Sequence, residues 1–203
     1  MSPRAYRMGQ RQADVDETRV RIVNAARGQL GETGALSLDA VARRADVARA
    51  TVYYQFGNKT GLLEAVCDAL AADGGMDRLA QVFTLADPWQ AVDRFVAVLG
   101  DFWAVDRLCT RRLRALAALD EEVGRVVAAR DARRRQGAAV LTARLAGAPE
   151  DAAAVLTVLT SFETFDALAS EAGDGADVRS ATPVVMRLVK AALCAPPGPS
   201  ETA

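Results

Sequence analysis

Residues 36–63, LSLDAVARRADVARATVYYQFGNKTGLL, constrain what this chain can fold into more than any other segment. Two short amphipathic helix patterns lie three or four residues apart. In the first, Leu38, Val41, Ala42 and Ala45 form an apolar stripe, while Asp39, Arg43 and Arg44 point elsewhere. The second runs from about Ala48 to Gln55, with Val47, Val52 and Phe56 spaced to anchor it. A third helix opens at Asn58-Lys59, with Asn58 as its cap and Leu62, Val66 and Leu70 facing inward. The pattern reads as a helix-turn-helix with a basic residue beside it.

The remainder agrees with an all-α chain. Apolar residues make up 51% of the sequence and aromatics only 5%. The apolar set is mostly Ala, Leu and Val, and no long alternating segment suggests strands. There is no His, which removes His-based triads, His metal sites and His proton shuttles. Cys67, Cys109 and Cys194 are too far apart for metal-ligand spacing or a disulfide framework. With no Gly-rich phosphate loop and no paired acids, we expect no enzyme, no cofactor and no metal. No apolar run approaches ~18 residues and the N-terminus lacks a secretory pattern, so the expected location is the cytoplasm, away from membranes. Charge is uneven: residues 1–60 hold ten basic against six acidic residues, the rest fifteen against twenty. A basic head on an acidic body fits nucleic-acid binding by the head.

Local signals divide the chain. Residues 1–13 read as a mobile Arg-rich arm, with Asp14 as N-cap of the first helix and Gly34 as its left-handed end. Ser37 caps the second helix. Gly74-Gly75 marks a break, and Asp87-Pro88-Trp89-Gln90 is a helix start. Helices follow over about 107–119 and 121–145, then one apolar nearly all round from about Asp151 to Ser170, and a last one around Val184–Leu193. The expected domains are 1–57 (arm and helix-turn-helix), 58–195 (helical body) and 196–203 (a disordered-type tail).

Thr51-Val52-Tyr53-Tyr54, Phe56 and Asn58-Lys59 make the segment resemble the tetracycline-repressor (TetR) family of transcriptional regulators, over about a quarter of the chain. The resemblance implies a DNA-binding regulator that reads pseudo-palindromic double-stranded operator DNA as a homodimer, a repressor released by a small effector. The alternative is a helical protein of the same type acting through a protein partner, or an activator without ligand-induced release. By position, Arg49, Ala50, Thr51 and Tyr53 lie along the groove-facing edge of the recognition helix, with Arg49 set for a bidentate guanine contact. Ser37, Tyr54, Gln55 and Lys59 correspond to phosphate contacts. Arg44 and Arg43 stand equally well as phosphate contacts or as solvated charge; Arg4, Arg7 and Arg11 as a minor-groove arm or a solvated tail. Lys59 is informative in its own right. It is one of only two lysines beside twenty-three arginines, and at a helix start it opposes the dipole unless an anion joins it. Asp46 and Ala48 depart from the family, standing where it has the turn Gly and a Ser or Thr cap.

For the body, the resemblance implies an effector pocket, with Phe95, Phe102, Trp103, Leu116, Phe162 and Phe165 as candidate lining. It also implies dimerisation through the last two long helices, with Leu156, Leu159, Val185 and Val189 at the interface. The run Arg130, Arg133, Arg134, Arg135 reads as a solvated helix face. One of Arg107, Arg111, Arg112 and Arg114 is a candidate for an acidic effector.

Overall fold

The computed structural model describes residues 3–173 and 175–194, with side chains from residue 13 onward. The expected tail 196–203 and the side chains of Arg4, Arg7 and Arg11 lie outside the described residues. The described residues hold eleven α-helices and no strand: α1 (Pro3–Thr33), α2 (Leu38–Arg44), α3 (Arg49–Phe56), α4 (Lys59–Asp73), α5 (Leu79–Val82), α6 (Pro88–Ala104), α7 (Arg107–Leu119), α8 (Glu121–Thr142), α9 (Ala152–Leu159), α10 (Phe162–Glu171) and α11 (Thr182–Leu193). None of these helices is long and apolar enough to cross a membrane. The chain forms two compact units, Met1–Ala69 with Leu108–Val127, and Leu70–Arg107 with Ala128–Ala203. This division differs from a cut at residue 57, because residues 108–127 fold back into the N-terminal unit.

In the first unit, Ile22, Ala26, Leu30, Val41, Val52, Leu62, Val66, Cys109 and Val123 are buried. Gly34 ends α1 with φ +69°, as its position suggests. Helix α1 does not start at Asp14. It starts at Pro3, and Asp14 is internal, its carbonyl accepting the Thr18 hydroxyl at 2.8 Å. Residues 4–13, RAYRMGQRQA, are mostly good helix formers with no proline, and Gly9 alone is unfavourable, so the helix extends past the cap-like residue.

The second unit is built on a core of Phe95, Leu99, Trp103, Leu141, Leu156, Phe162, Phe165, Val185 and Val189. Asp87 caps α6 as expected: its carboxylate accepts the N–H groups of Trp89 and Gln90, and Pro88 follows it. The single helix expected over 151–170 is two helices. Thr160 and Ser161 separate α9 from α10, which bend by 50°. The Thr160 hydroxyl donates back to the Leu156 carbonyl at 2.6 Å, and the Ser161 hydroxyl accepts the Thr164 N–H. Hydroxyl side chains here offer the backbone an alternative to the helix ladder. A short α5 after the Gly74-Gly75 break, and α8 ending at Thr142 rather than 145, are further differences from the sequence expectation.

Candidate nucleic-acid interface

Helices α2 and α3 are joined by a turn that explains Asp46. Its φ is +51°, the one left-handed non-glycine among the described residues. The N–H of Val47 reaches the Ala42 carbonyl at 3.0 Å and that of Asp46 the Arg43 carbonyl at 3.3 Å. These two bonds close a Schellman end on α2, which demands a left-handed residue at this place. Ala48 then takes extended backbone (φ −66°, ψ 144°) as N-cap of α3 and has no side chain to bond the free N–H groups. At the other end, Gly57 with φ +73° closes α3, and Asn58 accepts the Gly61 N–H at 2.8 Å to start α4.

Val52 and Phe56 bury one face of α3 and leave the other outward. Arg49 and Ala50 are exposed and Thr51 half-buried. Tyr53 is 40% and Tyr54 86% exposed. Two large aromatics facing solvent on an eight-residue helix have no role in the core. Gln55 is half-buried and Ser37 exposed. Ser37 occupies the N-cap position of α2, but its hydroxyl makes no capping bond, and its N–H donates to Gln29 Oε1 at 3.2 Å. The structure therefore brings the exposed candidates together around α3 on one small unit.

Three of the basic candidates, Arg44, Arg49 and Lys59, are engaged by carboxylates of the same unit. Arg49 lies 3.0 Å from Asp39 and donates to the Tyr53 hydroxyl at 3.0 Å. Arg44 forms a two-pronged pair with Glu32, at 2.6 and 2.7 Å, and its guanidinium crosses α1 at Gly28. That bond holds the Glu32 carboxyl below its ordinary value. Lys59 lies 2.6 Å from Asp120. The sequence reading missed Arg19, which stacks over the Phe56 ring at 4.5 Å and donates to the Gln55 carbonyl. It ties the end of α3 to α1. Only its place one helical turn before Ile22 and Val23 hinted at it.

In the second unit, Phe95, Trp103, Phe162 and Phe165 are buried together, with Phe102 packed beside them. Trp103 contacts the Phe102 and Phe162 rings at centroid distances of 4.4 and 5.6 Å. Leu116 belongs to the first unit. An open groove of about 480 Å³ lies on α5 and α6, lined by residues that include Gln81, Leu85, Gln90, Asp93 and Arg94. Of the basic residues weighed for an acidic effector, Arg107 is committed internally, to Asp166, Ser170 and the Ala176 carbonyl. Arg134 is not solvated: its side chain is 9% exposed and donates to the Thr157 carbonyl and the Thr160 hydroxyl, while Arg133 and Arg135 face out. Leu156, Val185 and Val189, expected at a dimer interface, are fully buried in this unit's own core, and Leu159 packs against it. The faces left outward on these helices carry Val158 (62% exposed) and Leu188 (42%).

Residues 22–66 match the model of the bacterial regulatory proteins, tetR family. Among solved structures, the chain is similar to a transcriptional regulator from Rhodococcus sp. Rha1, with 21% identity over 85% of this chain and 95% of that one, at a TM-score of 0.60. It is similar to NalD of Pseudomonas aeruginosa, the secondary repressor of the MexAB-OprM multidrug efflux pump, with 22% identity over 89% and 97% at 0.63. A protein from Saccharomonospora viridis solved with choline gives 17% identity over 86% and 96%, also at 0.63. A comparison with curated proteins gives no significant match. Residues 22–66 thus match the helix-turn-helix of the bacterial regulatory proteins, tetR family, and the chain as a whole has the all-α fold of the solved transcriptional regulators it resembles.

Proposed function

We propose that this protein is a homodimeric repressor that binds a pseudo-palindromic operator through α3 and leaves it when a small molecule enters the body. The observation that carries the DNA half is the outward face of α3. Arg49, Ala50, Tyr53 and Tyr54 are exposed on a helix whose other face is anchored by Val52 and Phe56. A helix presented this way suits the major groove. Arg49 is assigned to a guanine edge, with Ala50, Thr51 and Tyr53 along the groove. Ser37, Arg44, Tyr54, Gln55 and Lys59 are assigned to phosphates.

Repression is drawn from the likeness to NalD, and a small-molecule effector from the likeness to the protein solved with choline. The aromatic cluster at Trp103 is its candidate receptor, since apolar pockets with a few polar groups are the common ligand site. Release is a population shift: a ligand that favours one setting of α4 changes the spacing of two recognition helices that must meet half-sites about 34–36 Å apart.

The test compares Lys59→Ala with Arg49→Ala over a salt series. Loss of a phosphate contact weakens operator and random DNA by similar factors and lowers the salt slope by about 1 per contact, about 2 for a symmetric dimer. Loss of a bidentate base contact costs ~1–3 kcal/mol per site and relaxes selectivity at one base pair per half-site. An unchanged salt slope in the first variant and unchanged base preference in the second would remove this docking.

A further inference from the structure

Asp120 does two things at the junction of α7 and α8. Its Oδ1 accepts the N–H groups of Glu122 at 3.0 Å and Val123 at 3.2 Å, capping α8. Its Oδ2 lies 2.6 Å from Nζ of Lys59, the first residue of α4, 61 positions away along the chain. The two side chains are 32% and 28% exposed, so this pair is better shielded than Arg49–Asp39 or Arg44–Glu32. The Asp120 carboxyl is held below its ordinary value, first by the bond from Lys59 and then by the Val123 N–H.

A lysine at the N-terminal end of a helix opposes the helix dipole, and an anion beside it relieves the conflict. In the free protein that anion is Asp120. A phosphate oxygen and a carboxylate oxygen make the same charge-assisted bond to an ammonium. We propose that Asp120 is a built-in competitor of the DNA phosphate for Lys59, and so a determinant of affinity for DNA of any sequence. The inference rests on the reading of Lys59 as a phosphate contact. Engaging DNA then requires the Lys59 ammonium to leave Asp120, or to divide itself between two anions. Either course weakens binding relative to a chain in which Lys59 is unclaimed.

Asp120→Asn is a suitable variant. Asn caps a helix as well as Asp does, so α8 keeps its start while the charge is lost. Two measurements on the full chain test the proposal. Lys59 and Lys190 are the only lysines, so acylation by an amine-reactive reagent, read by peptide mass spectrometry, reports Lys59 against an internal standard. In the free protein, Asp120→Asn should raise the Lys59 rate severalfold and leave Lys190 unchanged. An unchanged Lys59 rate overturns the pairing, whatever the protein binds.

The second measurement is affinity for a random-sequence duplex and for duplexes selected from a random pool, with wild type, Asp120→Asn, Lys59→Ala and the double variant. Asp120→Asn should tighten both DNAs by a similar factor, roughly two- to five-fold per subunit. The gain should vanish in the Lys59→Ala background. Equal gains in both backgrounds would show a general charge effect and overturn the proposal. Weaker binding by Asp120→Asn would show that Asp120 positions Lys59 for DNA, which also overturns it. Should Lys59 be unmasked in Asp120→Asn while neither that variant nor wild type binds any duplex, the DNA reading fails although the pair stands.

Discussion

The indole N–H of Trp103 donates to the main-chain carbonyl of Thr160 across 3.1 Å inside the second unit. The same Thr160 receives the Arg134 guanidinium at its hydroxyl, and it ends α9 at the bend before α10. A break in an otherwise apolar helix exposes backbone carbonyls that the helix ladder would have satisfied. Trp103 and Arg134 satisfy them from α6 and α8.

Arg134→Ala should therefore behave unlike its neighbours. Removing a charged donor from a buried acceptor costs about 1–3 kcal/mol or more. Arg135→Ala, on the exposed face, should stay within about 0.5 kcal/mol of wild type. Chemical denaturation of the two variants compares them directly. Equal midpoints would mean that Arg134 does not hold the break.

Ala48→Ser should stabilise the protein by up to ~1 kcal/mol. Ala48 already has the extended backbone of an N-cap, and only the hydroxyl is lacking. Thermal unfolding reads the change. A midpoint at or below that of wild type would mean the hydroxyl does not reach the N–H groups at the start of α3.

Acid should weaken the first unit in a defined window. Glu32 is lowered from 4.5 by its bond from Arg44, and Asp120 from 3.8 by its bond from Lys59. A carboxyl whose value is lower folded than unfolded contributes stability above the unfolded value and loses it as pH falls through the folded one. Both contributions should be whole at neutral pH and disappear as pH drops below 4.5 and 3.8 respectively. Both groups are accessible to solvent, so the effects are small and screened by salt. At neutral pH Asp120→Asn should melt slightly below wild type, and the gap should close in acid. A gap that persisted at pH well below 3.8 would separate Asp120 from this stabilisation.

The proposed dimer should respond to the outer faces of α9 and α11 and not to their inner ones. Val158→Glu with Leu188→Glu places charge where the side chains are already exposed, so each subunit should fold and the dimer should dissociate. Leu156→Arg or Val189→Asp buries an unpaired charge in the core and should unfold the subunit. Sedimentation and circular dichroism together distinguish the cases. A folded dimer of the Val158, Leu188 double variant would place the interface elsewhere.

What the amino-acid sequence determined by itself is what depends on near neighbours. Gly34, Asp46 and Asn58 were legible because a left-handed φ or a capping bond involves residues only a few positions apart. Asp87-Pro88 was legible for the same reason. The two sides of α3 were legible too, since Val52 and Phe56 on one face oblige Tyr53 and Tyr54 to leave the other.

The tertiary structure alone decided what needs partners distant in sequence. Periodicity shows that α9 and α11 have apolar stripes. It does not say whether a stripe meets its own core or a second subunit, and Leu156, Val185 and Val189, expected at an interface, lie in the core of their own unit. Arg134 looks like Arg133 and Arg135 until α9 packs over it and presents the Thr157 and Thr160 oxygens. Lys59 reads as an unclaimed cation until α7 folds back and sets Asp120 against it, because no local pattern links residues 61 positions apart.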